Sequence, residues 1–150
     1  MRDYTKINAW KLADDLIVAV YQFTRSFPRE ELYGLTSQVR RASYSVPANI
    51  AEGSSRESKR DYLHFLYIAR GSLSETQHFV HLAQRLEYLA PSDAQALAAQ
   101  TSAAFAFLHG LIRAVEQNSG KLSRVAAAVT SFLVLCLPRC SGQWLVVSGQ

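Results

Sequence analysis

Cysteine is almost missing from this 150-residue chain. Cys136 and Cys140 are the whole supply, and both lie close to the C-terminus. A pair is too few for a disulfide framework and would supply only half of a zinc site. The glycine-rich signatures of nucleotide chemistry are missing too. There is no phosphate loop and no dinucleotide fingerprint, and the many serines come with no Gly-x-Ser-x-Gly elbow. No apolar run reaches the roughly 20 residues of a standard membrane span. The opening Met-Arg-Asp-Tyr-Thr-Lys has no apolar signal region behind it, so a cytoplasmic protein is expected, with no membrane partner. No activated nucleophile or acid–base pair can be named. The expectation is a protein that is not an enzyme and has no cofactor.

What is present suits a globular domain with a real core, since 49% of residues are hydrophobic and 19% charged. The net charge of +4 is uneven. Lys121, Arg124 and Arg139 stand after Gly120 without an acid, leaving 13 basic and 12 acidic groups, or +1, on residues 1–120. The pI of 9.3 therefore describes the tail more than the body.

Apolar spacing predicts an all-α fold, an antiparallel up-down-up-down four-helix bundle over residues 1–120. The first helix covers about 5–27 and buries Trp10, Ala13, Ile17, Val20, Thr24 and Phe27, with Leu16 and Phe23 beside them. Pro28 ends it. Leu32 and Tyr33 are expected to tuck back from the short link that follows. The second helix, about 35–52, carries Leu35, Val39, Ala42, Val46 and Ile50 on one seam. Pro47 should kink it, and Gly53 should stop it in the left-handed conformation. Ser58 caps the third helix, about 59–89. That helix has two seams, Tyr62-Leu66-Ala69-Leu73-Thr76-Val80-Ala83 and Phe65-Ile68-Ser72-Glu75-Phe79-Leu82-Leu86-Leu89, which suggests burial on two sides. Gly71 and Ser72 would permit close helix approach. Ser92 and Gln95 fit a capping box for the fourth helix, which Asn118-Ser119-Gly120 ends. Residues 121–150 form a separate hydrophobic C-terminal tail, a short helix or a disordered segment. Its thirteen-residue run from Val125 to Leu137 is broken only by Thr130 and Ser131.

The stretch 38–53 organises the rest. Beside its apolar seam runs a second made of Gln38, Arg41, Ser45, Asn49 and Glu52, all polar. It is either a solvated face or a buried or interfacial hydrogen-bond network, which must be satisfied throughout to be tolerated. Glu75 stands in an apolar seam of the third helix and needs a donor. The expectation is that it is buried and paired with Arg41, so that removing either partner costs roughly 3–5 kcal/mol.

Basic residues gather twice, Arg40 with Arg41 and Arg56 with Lys59 and Arg60. The second group enters a helix N-terminus, where backbone N–H groups also attract anions, though Glu57 and Asp61 offset it. Arg56, Lys59, Arg60 and Arg40 are candidate contacts to a nucleic-acid backbone, positioning phosphates without reading bases. His78 and His81 are three apart, with His64 upstream and His109 on another helix. No third ligand or supporting shell accompanies them, and no metal site is expected.

Trp10-Lys11-Leu12-Ala13, Phe27-Pro28, Leu35 with Gln38 and Arg40-Arg41, Ser45, Asn49-Ile50-Ala51-Glu52-Gly53, Phe65-Leu66 and Ile68-Ala69-Arg70-Gly71-Ser72-Leu73-Ser74-Glu75 resemble one bacterial family. It comprises the four-helix bundle proteins encoded in intervening sequences of large-subunit ribosomal RNA genes, including the accessory variability determinant of diversity-generating retroelements. The resemblance covers residues 4–118. It implies a bundle that assembles into a ring-shaped homopentamer. The retroelement relatives imply a basic adaptor that binds a reverse transcriptase and nucleic acid, whereas this body is nearly neutral. Two functions follow as expectations. One is a non-enzymatic oligomeric adaptor contacting an RNA or DNA backbone. The other is a structural or protein-binding homo-oligomeric ring without nucleic acid.

Overall fold

The computed structural model describes residues 2–135, with side chains up to Gln117. Four helices account for it: α1 (Asn8–Phe23), α2 (Leu35–Ser55), α3 (Lys59–Arg85) and α4 (Pro91–Leu135). The chain divides into two compact units, Met1–Glu116 and Gln117–Gln150, and the bundle is the first. Within it each helix lies beside its neighbours in sequence. Arg40 of α2 reaches Thr24 at the end of α1, and Ser45 of α2 meets Ser72 of α3. Lys59, opening α3, bonds the carbonyl of Glu116 on α4. Ile7 and Ala9 at the start of α1 share a groove with Phe107 and Leu111 of α4. The result is the expected antiparallel up-down-up-down bundle.

The core follows the predicted seams closely on three helices. Leu35, Val39, Ala42, Val46 and Ile50 of α2 are all buried, as is the whole first seam of α3. On α4, Leu97, Thr101, Leu108 and Ile112 are buried, while Ala98 is exposed. On α1 the buried line is Ala9, Ala13, Leu16, Ala19 and Val20, leaving Trp10 and Ile17 half-buried. Ala9, Ala13 and Ala19 share the inward face with Leu16 and Val20, and Trp10 and Ile17 sit at its flanks. The hydroxyls of Thr76 and Thr101, buried with the apolar side chains, turn back to the carbonyls of Ser72 and Leu97 at 2.9 and 2.7 Å. That satisfies both without a partner from another helix.

Several local expectations are corrected. The first helix is shorter than 5–27: 3-10 turns over Tyr4–Lys6 and Thr24–Ser26 flank α1. Leu32 and Tyr33 do not tuck back; they are 50% and 90% exposed. Glu31 takes the inward place instead, its carboxylate accepting from the Leu35 amide at 2.8 Å and capping α2. The helix continues through Pro47, and the Ser43 hydroxyl bonds the Arg40 carbonyl at 2.8 Å. Ser58 caps α3 as expected, accepting from the Asp61 amide at 3.0 Å. The Ser92–Gln95 capping box does not form, because α4 starts at Pro91, which puts Ser92 already inside its first turn. A proline at the first helical position removes only a donor that had no partner there. Asn118-Ser119-Gly120 does not end α4 either, since a helical glycine costs about 1 kcal/mol against alanine but breaks no bond. Cys136, Cys140 and residues 144–147 lie outside the described residues.

Helix α3 stops at Arg85 rather than near Leu89. Glu87 adopts φ 60°, and the Tyr88 and Glu87 amides reach back to the carbonyls of Ala83 and Gln84 at 2.9 and 3.0 Å. This is the wrap-around stop that glycine usually makes. A glutamate there carries a Cβ penalty of about 1–2 kcal/mol. Glu87→Gly should therefore raise stability by about 0.5–1 kcal/mol after glycine's larger unfolded-state entropy is subtracted, as read from urea midpoints.

Candidate nucleic-acid interface

The polar seam of α2 forms real contacts, in two stretches. In the first, the Arg41 Nε donates to Gln38 at 3.3 Å, and Arg41 Nη2 lies 3.8 Å from the Glu75 carboxylate. In the second, the Ser45 and Ser72 hydroxyls bond across the helices at 2.9 Å, and the Asn49 amide donates to the Ser45 carbonyl and hydroxyl at 2.7 and 3.0 Å. Glu52 turns away from both and pairs with Arg56 one turn on. The seam borders α3 along its edge and is neither a plain solvated face nor a sealed network.

Glu75 pairs with Arg41 as predicted, but it is not buried in the chain. The side chains are 54% and 57% exposed. The seam it shares with Ser72 is a flank of α3, where Ile68 and Leu86 are exposed as well. The cost of losing a buried partner therefore does not apply, and an exposed pair at this distance is worth about 0–1 kcal/mol. Glu75→Ala should shift the melting stability of the isolated chain by less than about 1 kcal/mol, and Arg41→Ala likewise. A loss of 3 kcal/mol or more in thermal melts would show that the pair is covered in solution.

Gly53 is also not where its conformation was expected to matter. It lies inside α2, and no glycine among the described residues has positive φ. It is a point of close approach: a Cβ there would stand 2.9 Å from the Phe65 Cβ and 3.0 Å from Tyr62 Cδ2. Gly71, expected to serve this purpose, faces open space. Gly53→Ala should destabilise by about 1 kcal/mol, since overpacking of about 1–3 kcal/mol outweighs the gain of about 1 in helix propensity. Gly71→Ala should stabilise by about 1 kcal/mol. Opposite shifts in denaturant midpoint would verify the pair.

Gly53 also sets the start of α3 against the end of α2, and there the second basic group gathers. Arg56 pairs with Glu52, and its guanidinium lies 4.9 Å from the Phe65 ring centre. The Lys59 ammonium donates to the Glu116 carbonyl at 2.9 Å. Arg60 is exposed and bonds to nothing among the described residues. Arg2, which spacing along the chain could not connect to this place, completes the group. Its amide reaches the Ser54 carbonyl at 3.4 Å, its guanidinium donates to the Arg56 carbonyl at 3.1 Å, and it stacks 4.7 Å from the Tyr62 ring centre. Arg2, Ser55, Arg56 and Glu57 line an open hollow of about 520 Å³. Burial pushes the Tyr62 phenol above its ordinary pKa, against the opposing pull of Arg2. Nearby, the Tyr67 phenol donates to the Glu116 carboxylate, and this bond first of all raises its pKa.

Arg40 is not part of this group. Sixteen residues separate it from Arg56, about 24 Å along the helix. It is half-buried, with Nε donating to the Thr24 hydroxyl at 2.8 Å and its guanidinium 4.6 Å from the Tyr21 ring centre. The four candidate residues thus fall at two places, near the two ends of α2. His78 and His81 are exposed, and among the described residues no three His, Cys, Asp or Glu side chains come together. Among the same residues no helix is long and apolar enough to cross a membrane.

Bundle, seam and motifs define a small helical protein of a known type, and comparison with known proteins gives its kinship. The model of the 23S rRNA-intervening sequence protein family matches residues 5–110, and the chain belongs to that family. One similar solved structure is a protein of unknown function from the S23 ribosomal protein family of Bacteroides thetaiotaomicron. It is 21% identical, with a TM-score of 0.63 over 69% of this chain and 97% of that one. That likeness concerns the fold. No curated protein matches the chain.

Proposed function

We propose that this protein is a non-enzymatic adaptor that assembles with copies of itself and holds the backbone of RNA or DNA. The carrying observation is the hollow at one end of the bundle where Arg2 is fastened beside Arg56, with Lys59 and Arg60 opening the next helix. Arg56 is partly engaged by Glu52, Lys59 by the Glu116 carbonyl and Arg2 by the Arg56 carbonyl, so Arg60 supplies the most available charge. Arg2, Arg56, Lys59 and Arg60 stand there with Glu52, Glu57, Asp61 and Glu116 nearby. One copy binds weakly, and a ring would repeat the hollow and add the contacts through multivalency.

Assembly is favoured by apolar side chains left in the open. Val18 is 55% exposed and Phe107 47%, and an apolar groove of about 510 Å³ runs between α1 and α4 beside Phe107. A homopentamer, kinship with the accessory proteins of diversity-generating retroelements and a reverse transcriptase as partner belong to this reading. They rest on the shared Asn-Ile-Ala-Glu-Gly and Gly-Ser-Leu-x-Glu stretches. The same apolar exposure favours the second reading, a structural or protein-binding ring without nucleic acid.

Labelled RNA titrated across a salt series separates the two. Binding should weaken steeply with salt, and Arg2→Glu with Arg60→Glu should weaken it further while lowering the logarithmic salt slope by about 0.7 for each lost contact to a single strand. A flat salt response, or affinity unchanged by both reversals, would favour the ring without nucleic acid.

A further inference from the structure

A second groove lies toward the other end of α2, away from the basic hollow. Tyr21, Tyr33, Ser37, Arg40, Arg41 and Tyr44 line it, with a volume of about 380 Å³, within the range of ligand clefts. No carboxylate is among the residues that line it. Tyr33 is 90% exposed and Tyr44 49%, so much of both side chains bordering the groove is open to solvent.

Arg40 supplies the second, independent observation. Thr24 holds its Nε and Tyr21 lies against its guanidinium face, so the side chain is fixed in place. No acid pairs with it, and both Nη groups remain without a protein acceptor among the described residues. A fixed guanidinium with free donors loses little freedom on meeting an anion. Arg41 beside it is partly neutralised by Glu75, which leaves Arg40 as the main charge.

We propose that this groove receives an unpaired base and its phosphate from single-stranded RNA, with Tyr33 and Tyr44 as stacking faces and Arg40 as the phosphate contact. This rests on the nucleic-acid reading above and adds a preference for single strands. Aromatic side chains beside an arginine with free donors match a ligand that carries a flat ring and an anion together. A base in a duplex hides both faces in the stack, so only an unpaired one fits. The basic hollow meets backbone alone and accepts either form.

The full chain is titrated with a short fluorescein-labelled single strand and with a blunt duplex of the same sequence. The double variant Tyr33→Ala/Tyr44→Ala should bind the single strand about 10- to 100-fold more weakly, in keeping with base–aromatic stacking. It should bind the duplex as before, with an unchanged salt slope. Tyr33→Phe/Tyr44→Phe, which keeps both rings, should bind the single strand like the parent. Equal single-strand affinity in the alanine variant overturns the assignment, and so does a parallel loss for the duplex. Smaller species in sedimentation of that variant would also overturn it, marking the groove as a contact between copies. If Arg60→Glu weakens both RNAs while the tyrosine changes do nothing, the adaptor reading stands and the groove assignment falls. If the parent binds neither RNA, both fall.

Discussion

The bundle depends on how near α2 and α3 come to each other, and Gly53 sets that distance. With no side chain there, the α2 backbone rests directly on Tyr62 and Phe65. The turn between the helices can then be short, from Ser55 to Lys59, and the Ser58 cap starts α3 at once. Farther along, the same closeness lets the small hydroxyls of Ser45 and Ser72 bond directly across the two helices. Larger residues at either place would push the helices apart and leave Asn49 and Ser45 to water. The apolar seam of α2 supplies the burial, but the polar edge decides which residues of α3 stand opposite it.

Helix number, order and most of the core were legible in the sequence because they depend on spacing. The α2 seam and the first α3 seam can be read from apolar residues recurring every three or four positions, and the chain buries those residues. The pairing of Glu75 with Arg41 was legible as well, since the α3 seam lacked a donor and α2 offered one. Its burial was not. Spacing tells which residues share a face, and the width of the buried stripe comes from the neighbouring helices. Phe65, Ile68 and Glu75 fall on the margin of that stripe.

The candidate site was legible only in part, for a different reason. Arg56, Lys59 and Arg60 are near one another in sequence and could be read as a group. Arg2 joins them across more than fifty residues, and no local pattern announces that. Glu31 as the cap of α2 and Glu87 in a left-handed turn were missed because common residues stand where Ser, Asn or Gly would have been the signal. Leu32 and Tyr33, expected to tuck back from the short link, stand exposed while Glu31 beside them caps α2.

The bond from Arg2 to Arg56 bears on the order in which the molecule comes together. Helices α2 and α3 meet through contacts between residues close in sequence, which carry a low entropic cost of closure. The first residues must instead find a partner that exists only once the α2–α3 turn is made. The N-terminal segment is thus a clasp fastened late, held mainly by two backbone carbonyls and the face of Tyr62. A segment held by so few contacts belongs to the class that opens at low free-energy cost. An opening there would free the Ser54 and Arg56 carbonyls and carry one of the two arginines away from the hollow. Release of this segment would therefore lower the positive charge held at that end of the bundle.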